Sequence, residues 1–202
     1  MVSSTNDPLP LMFDVRPGRE VIRQGETYPD AWVVRSGALL MEVVDLEGHR
    51  LALDLLGPGD LVGGPTSWIS DASVRALVTS GLFAAGPIAL RDGLARRARR
   101  AAWLACSVAW DRIADRLATR LDDLAVRFGQ QVPGGRCLEL PITQEHLAGL
   151  TGATRESVNR ALAELAAAGR VERTRGRYVV RPGDIGADGD ALPLGLQHRK
   201  GA

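Results

Sequence analysis

Arg155, Glu156, Asn159 and Arg160 stand as two overlapping pairs of residues, each pair four apart. On a helix that spacing gathers two guanidinium groups, a carboxylate and an amide on one face. Arginine can hold guanine O6 and N7 with two parallel hydrogen bonds, and a carboxylate can accept from cytosine N4. The chemistry this set suits is therefore base reading in a DNA major groove, not catalysis.

The elements around these residues must place that face outward. Thr154 is positioned to cap a helix at its N-terminus. Val158, Leu162 and Leu165 recur at helical steps as a buried stripe, and Gly169 ends the run. Upstream, Thr143 caps a first helix with Gln144 and Glu145 in its first turn, Leu147 and Leu150 form its apolar side, and Gly152 stops it. Two short helices joined by a tight turn result. Taken alone, the pattern also fits a helical hairpin with solvated charges. The next segment favours DNA: Arg170–Arg181 has hairpin character, with Val171, Tyr178 and Val180 as apolar strand residues and Arg173, Arg175 and Arg177 along it or at its tip. A basic hairpin beside a recognition helix suits phosphate contact, which positions a protein without reading sequence.

The stretch ITQEHLAGLTGATRESVNRALAELAAAGRVERTRGRYVV resembles the winged helix-turn-helix of the CRP/FNR family of bacterial transcription regulators. In that family R-E-x-x-x-R reads a TGTGA-like half-site, and here it stands as Arg155-Glu156-Ser157-Val158-Asn159-Arg160. The resemblance implies base reading by Arg155, Glu156, Asn159 and Arg160. It implies phosphate contacts from Thr143, Gln144, Thr154, Ser157, Arg173, Arg175 and Arg177. It also implies double-stranded DNA, a second copy of the chain and RNA polymerase as partners, in a cytoplasmic protein that is not an enzyme.

The charge distribution agrees. Residues 1–86 carry six arginines against eleven acids, residues 87–108 five against one, and residues 109–185 twelve against ten. An acidic front thus precedes a basic rear, as expected if only the rear meets nucleic acid. No apolar run approaches the ~18 residues of a membrane span, and no charged-then-apolar leader opens the chain. Cys106 and Cys137 form neither a metal-ligand spacing nor a disulfide framework, and no catalytic or metal cluster is visible among the histidines.

From Phe13 to about Ala85, short apolar stretches alternate with glycine-bearing turns, which suggests an antiparallel barrel or jelly roll. GETYPDAWVVRSG and DLLGPGDLVGG resemble the double-stranded β-roll of the cyclic-nucleotide-binding domain that precedes the winged helix in this family. That domain holds a cyclic phosphate with an arginine and the ribose hydroxyl with a glutamate. Here Gly64 stands where the glutamate should be, and Arg75 falls several residues late, on a strand whose alternation could point it outward. Tight cAMP or cGMP binding is therefore not expected. Gly63, Gly64, Thr66, Ser67, Ser73 and Arg75 remain the candidate lining of a pocket for another effector.

Between the two domains, Pro87 can open a helix, and Trp103, Cys106, Trp110, Ile113, Leu117, Leu121, Leu124 and Phe128 fall at three- and four-residue steps. The resemblance divides this run. Residues 91–109 become a dimerisation helix with Trp103, Cys106 and Trp110 at the two-fold interface, and Asp111–Ala125 becomes the first helix of the DNA-binding domain. The arginines at 96, 97, 99 and 100 are expected on the solvated face of the dimer helix.

The expected protein is α+β: a flexible N-terminus (1–12), a jelly-roll-like β-roll or double-stranded β-helix (13–86), a dimerisation helix (87–109), a winged helix-turn-helix (110–185) and a flexible tail (186–202). The alternative is a ligand-sensing module of the cyclic-nucleotide type that acts through protein partners instead of DNA.

Overall fold

The computed structural model describes residues 12–65, 68–174 and 176–181. The expectations placed on residues 1–11, on Thr66, Ser67 and Arg175, and on the tail from residue 182 lie outside the described residues. The chain begins with ten short strands: β1 (Met12–Val15), β2 (Glu20–Ile22), β3 (Thr27–Tyr28), β4 (Trp32–Ser36), β5 (Leu39–Val44), β6 (Arg50–Leu56), β7 (Leu61–Val62), β8 (Trp68–Ile69), β9 (Ser73–Ala76) and β10 (Ser80–Ala84). They make two antiparallel sheets, ordered β1-β10-β4-β7 and β2-β9-β5-β6, with β3 and β8 as a separate pair. Ile22, Trp32, Val34, Leu39, Leu56, Val62, Val74, Ala76 and Leu82 fill the space between the sheets.

Strands β5 and β6 are apolar on both faces. Leu39 and Leu56 point into the roll, while Leu40, Ala52 and Leu55 belong to a second core on the outside. A sheet of this kind must be covered on both faces. The outer cover is the C-terminal domain.

That domain starts after α1 (Pro87–Trp110), a single helix that opens on Pro87 and runs beside the roll. Asp111 and Arg112 break the helix, and α2 (Ile113–Phe128) follows. Buried Arg116 pins the junction by donating through Nη1 to the carbonyls of Ser107 (3.2 Å) and Val108 (3.1 Å), in the last turn of α1 where helical donors run out. The remaining elements are β11 (Gln130–Val132), β12 (Gly135–Leu138), α3 (Gln144–Thr151), α4 (Arg155–Ala167), β13 (Val171–Thr174) and β14 (Arg177–Val180). The hairpin β13–β14 does not stand alone, because β12 pairs with β14 to give the order β11-β12-β14-β13. The β11–β12 hairpin carries little apolar periodicity and is not apparent from the sequence pattern.

Leu117, Leu121, Leu124, Leu138, Leu147, Leu150, Val158 and Tyr178 join Leu40, Ala52 and Leu55 in one continuous core. Helix α3 meets β6 backbone to backbone at Gly149. A Cβ there would lie 2.6 Å from both the backbone nitrogen and oxygen of Ala52 in β6.

The arginines of α1 correct the expectation of a solvated face. Arg96 donates to the Gly59 carbonyl (2.6 Å), and Arg97 to those of Leu61 (2.8 Å) and Gly63 (3.1 Å). Arg100 reaches Asp54 (3.2 Å) and Asp60 (2.7 Å) on the roll. Only Arg99 of the four is exposed. Helix α2 completes the seam: Arg120 pairs with Asp54 (2.9 Å), and Arg127 with Asp60 and Asp123. Burial alone would push the Asp54 carboxyl up, but Arg120, Arg127 and Arg100 outweigh it and hold the group below its ordinary value. Placing cationic side chains toward an acidic front removes the repulsion that a run of arginines would otherwise carry.

Candidate nucleic-acid interface

Helices α3 and α4 are set by their caps. The Thr143 hydroxyl accepts from the His146 N–H (3.1 Å), and the His146 ring nitrogen Nδ1 in turn accepts from the Thr143 N–H (3.3 Å), a reciprocal capping box. Gly152 ends α3 at φ 58°, a left-handed conformation that other residues rarely adopt. Two residues later the Thr154 hydroxyl accepts from the Ser157 N–H (3.2 Å) and starts α4.

In α4 the buried residues are Val158, Ala161 and Leu165. The opposite face carries Arg155, Glu156, Asn159 and Arg160, all exposed. Neither Arg155 nor Glu156 has a side-chain partner among the described residues, so both are free for an external one. Asn159 accepts from Gln144 Nε2 (2.7 Å), which ties α3 to α4 at the same end. Arg160 leans on the Ser157 hydroxyl (3.2 Å), itself bonded to Thr154 Oγ1 (3.0 Å). The sequence pattern named these residues but not their connections, because the Gln144–Asn159 bridge depends on the angle between the helices.

The hairpin β13–β14 lies beside α4, with Tyr178 buried in the shared core. Arg173 is exposed, with its guanidinium carbon 5.9 Å from the centroid of the Tyr178 ring, close enough for a cation–π contact. Arg177 is exposed too but pairs with Glu139 at 2.8 Å. A phosphate at Arg177 must compete with that carboxylate, whereas one at Arg173 need not.

This geometry is matched in known proteins. Residues 115–182 fit the family model of the Crp-like helix-turn-helix domain. Over 155 residues the chain is 32% identical to the regulatory protein CysR of Synechococcus elongatus, covering 74% of this chain and 75% of that one. Over 184 residues it is 31% identical to the CRP-like cAMP-activated global transcriptional regulator of Mycobacterium tuberculosis, covering 83% and 82%. The chain belongs to the CRP/FNR family. It is a transcription regulator with a helix-turn-helix DNA-binding domain. A solved CRP/FNR-family regulator from Thermus thermophilus shares the fold, with a TM-score of 0.65 at 24% identity over 85% of this chain and 93% of that one.

Strand β9 alternates so that Val74 and Ala76 point into the roll, while Arg75 points out of it. There Arg75 donates through Nε to Glu42 (3.0 Å), a carboxylate only 2% exposed. Arg75 thus stands on the outer face of the sheet, where it lines a cleft with Arg19, Glu20, Arg23 and Arg50. Ser73 is buried as well, and its hydroxyl accepts from the Gln24 N–H (3.0 Å). Gly63 sits at φ 93° with its carbonyl taken by Arg97.

The three residues expected at a dimer seam also separate. Trp103 is 6% exposed and packs within its own chain, Cys106 is half-buried, and Trp110 is 77% exposed at the end of α1. Among the described residues Asp45, Glu47 and His49 cluster at the β5–β6 turn, all exposed. Local turn bonding accounts for them, since Asp45 Oδ1 accepts from the Glu47 (3.0 Å) and His49 (2.8 Å) N–H groups. No helix among the described residues is long and apolar enough to cross a membrane.

Proposed function

We propose that the chain acts as a homodimer on a pseudo-palindromic site built from TGTGA-like half-sites. Arg155, Glu156, Asn159 and Arg160 read base edges. Thr143, Gln144, Thr154, Ser157 and the hairpin arginines Arg173, Arg175 and Arg177 hold phosphates. The observation that carries this reading is the pair Arg155 and Glu156, exposed and unpartnered among the described residues in the first turn of a capped helix whose other side is core. A gel shift with a duplex carrying inverted TGTGA half-sites one helical turn apart tests it. Retention at physiological salt, lost when both half-sites are scrambled, is the expected result; equal binding to scrambled DNA would sink it.

A single recognition helix contacts too few bases for a specific site, which supports a two-fold assembly. The surface that suits a second copy is the side of α1 turned away from the roll, where Ala98, Ala101, Ala102, Ala105 and Trp110 are exposed. Sedimentation as a monomer at micromolar concentration would count against it. RNA polymerase is the partner such a regulator acts on, and the chain performs no catalysis.

The M. tuberculosis relative is named as cAMP-activated, but the present chain does not bind cAMP or cGMP tightly in this reading. Gly64 replaces the expected glutamate and Arg75 is committed to Glu42 on the outer face of the sheet. Calorimetry with both nucleotides decides the point, since micromolar affinity at one site per chain would overturn it.

A further inference from the structure

A cleft of about 520 Å³ opens on the outside of the β-roll, lined by Gly18, Arg19, Glu20, Arg23, Arg50 and Arg75. Beneath it buried Glu42 receives two arginines on one oxygen: Arg50 Nη1 donates to Oε1 at 2.7 Å and Arg75 Nε at 3.0 Å. That oxygen fixes both guanidinium groups but engages one nitrogen of each. Arg23 donates from Nε to Glu20 (3.1 Å) and from Nη1 to Glu26 (3.1 Å), and its Nη2 has no partner among the described residues. Arg19 is exposed and has no carboxylate partner among the described residues. A guanidinium carries five N–H donors and no acceptor, so most of the donors around this cleft are unmet among the described residues.

Four cations gathered against Glu20, Glu26 and Glu42 leave a positive excess in a domain that is otherwise acidic. The group that matches converging guanidinium forks is one with several oxygens and negative charge, above all a phosphate. The volume lies within the range of small-molecule sites and exceeds the need of a bare phosphate ion. We propose that this cleft binds a small phosphate-bearing metabolite of nucleotide size, as a ligand site separate from the roll interior.

The position gives such a ligand a route to the DNA-binding domain, a consequence that rests on the regulator reading above. Arg75 lies opposite Leu40 across the β9–β5 pair, and Leu40 is part of the core shared with α3. His146, in the first turn of α3, feels the same cluster. Burial lowers the pKa of its ring first, Arg75 lowers it further, and Glu42 and Glu145 oppose both. A phosphate on Arg75 cancels that repulsion beside the first helix of the helix-turn-helix.

Calorimetry on the full chain with ADP, pyrophosphate and inorganic phosphate tests the site, with Arg19→Glu and Arg50→Gln as variants. Arg19 makes no contact the fold needs, so its variant stays folded even if Arg50→Gln does not. The expected result is saturable binding of ADP or pyrophosphate at one site per chain, tighter than inorganic phosphate and weakened about tenfold or more by Arg19→Glu, the loss of one charge-assisted contact. Absence of saturable binding by all three probes, or unchanged affinity in both variants, overturns the proposal. So does a weakening of operator binding by Arg19→Glu without any probe, since the arginines would then be DNA-backbone contacts. If the wild-type chain binds no DNA but still binds ADP through these arginines, the regulator reading fails and the site stands.

Discussion

Arginine occupies two opposite environments in this molecule. At the seam between α1, α2 and β6, Arg100 and Arg120 are largely buried, and each is held by Asp54. On α4, Arg155 is exposed and meets no carboxylate among the described residues. The side chain is the same; its internal partner decides its use. A buried guanidinium with a matched carboxylate is part of the scaffold, and its charge is invisible outside. An exposed one without a partner keeps its donors for a ligand. The number of arginines in the chain therefore says little about DNA, and the fraction left unmatched says much.

The strongest way to break this contrast is to remove the seam's central carboxylate. Asp54→Ala takes away the short partner of buried Arg120, leaving it only Asp123 at 3.5 Å, and should cost about 3–5 kcal/mol in urea unfolding; a loss within the range of an ordinary surface substitution would show that the seam is not structural. Acid probes the same group more gently. Its native pKa is depressed, so its contribution is present above the unfolded value near ~3.9 and is lost as pH falls through the native one. The unfolding midpoint of wild type should thus drop on acidification below about pH 4 more steeply than that of Asp54→Asn.

Next comes the contact that joins the two regions. Gly149→Ala forces a methyl group onto the Ala52 backbone and should cost about 1–3 kcal/mol, or loosen α3 from the roll. Hydrogen exchange along β6 and α3 distinguishes the two outcomes; unchanged stability with unchanged protection would contradict the packing described. On the exposed side, Arg155→Ala should weaken operator binding by about 1–3 kcal/mol and relax preference at one base pair, with thermal stability untouched. Base preference that survives this change in a selection experiment would remove Arg155 from the reading set. The smallest effect belongs to Arg173→Ala, which should weaken all sequences alike and reduce the slope of log affinity against log salt by about 1. A sequence-selective loss would instead make Arg173 a base contact.

Local chemistry made much of this protein legible in one dimension. The caps Thr143 and Thr154, the stop at Gly152, the stripe of Val158 and Leu165, and the strands β4 to β6 all follow from neighbours a few residues apart, because helical and strand periodicities are local rules. The outward face of α4 follows from the same rule, since a stripe that is buried leaves its opposite side exposed. What local rules could not decide was which surfaces meet. The arginines of α1 look solvated in any window of the chain, and only the fold brings Asp54 and Asp60 beneath them. Arg75 looks like a misplaced phosphate ligand until the folded sheet shows it on the outer face, bonded to Glu42. The second apolar face of β5 and β6, and its cover by α3 through Gly149, emerged only from the fold. Partners distant in sequence are chosen by shape and register over the whole molecule, and that choice exists only once the chain is folded.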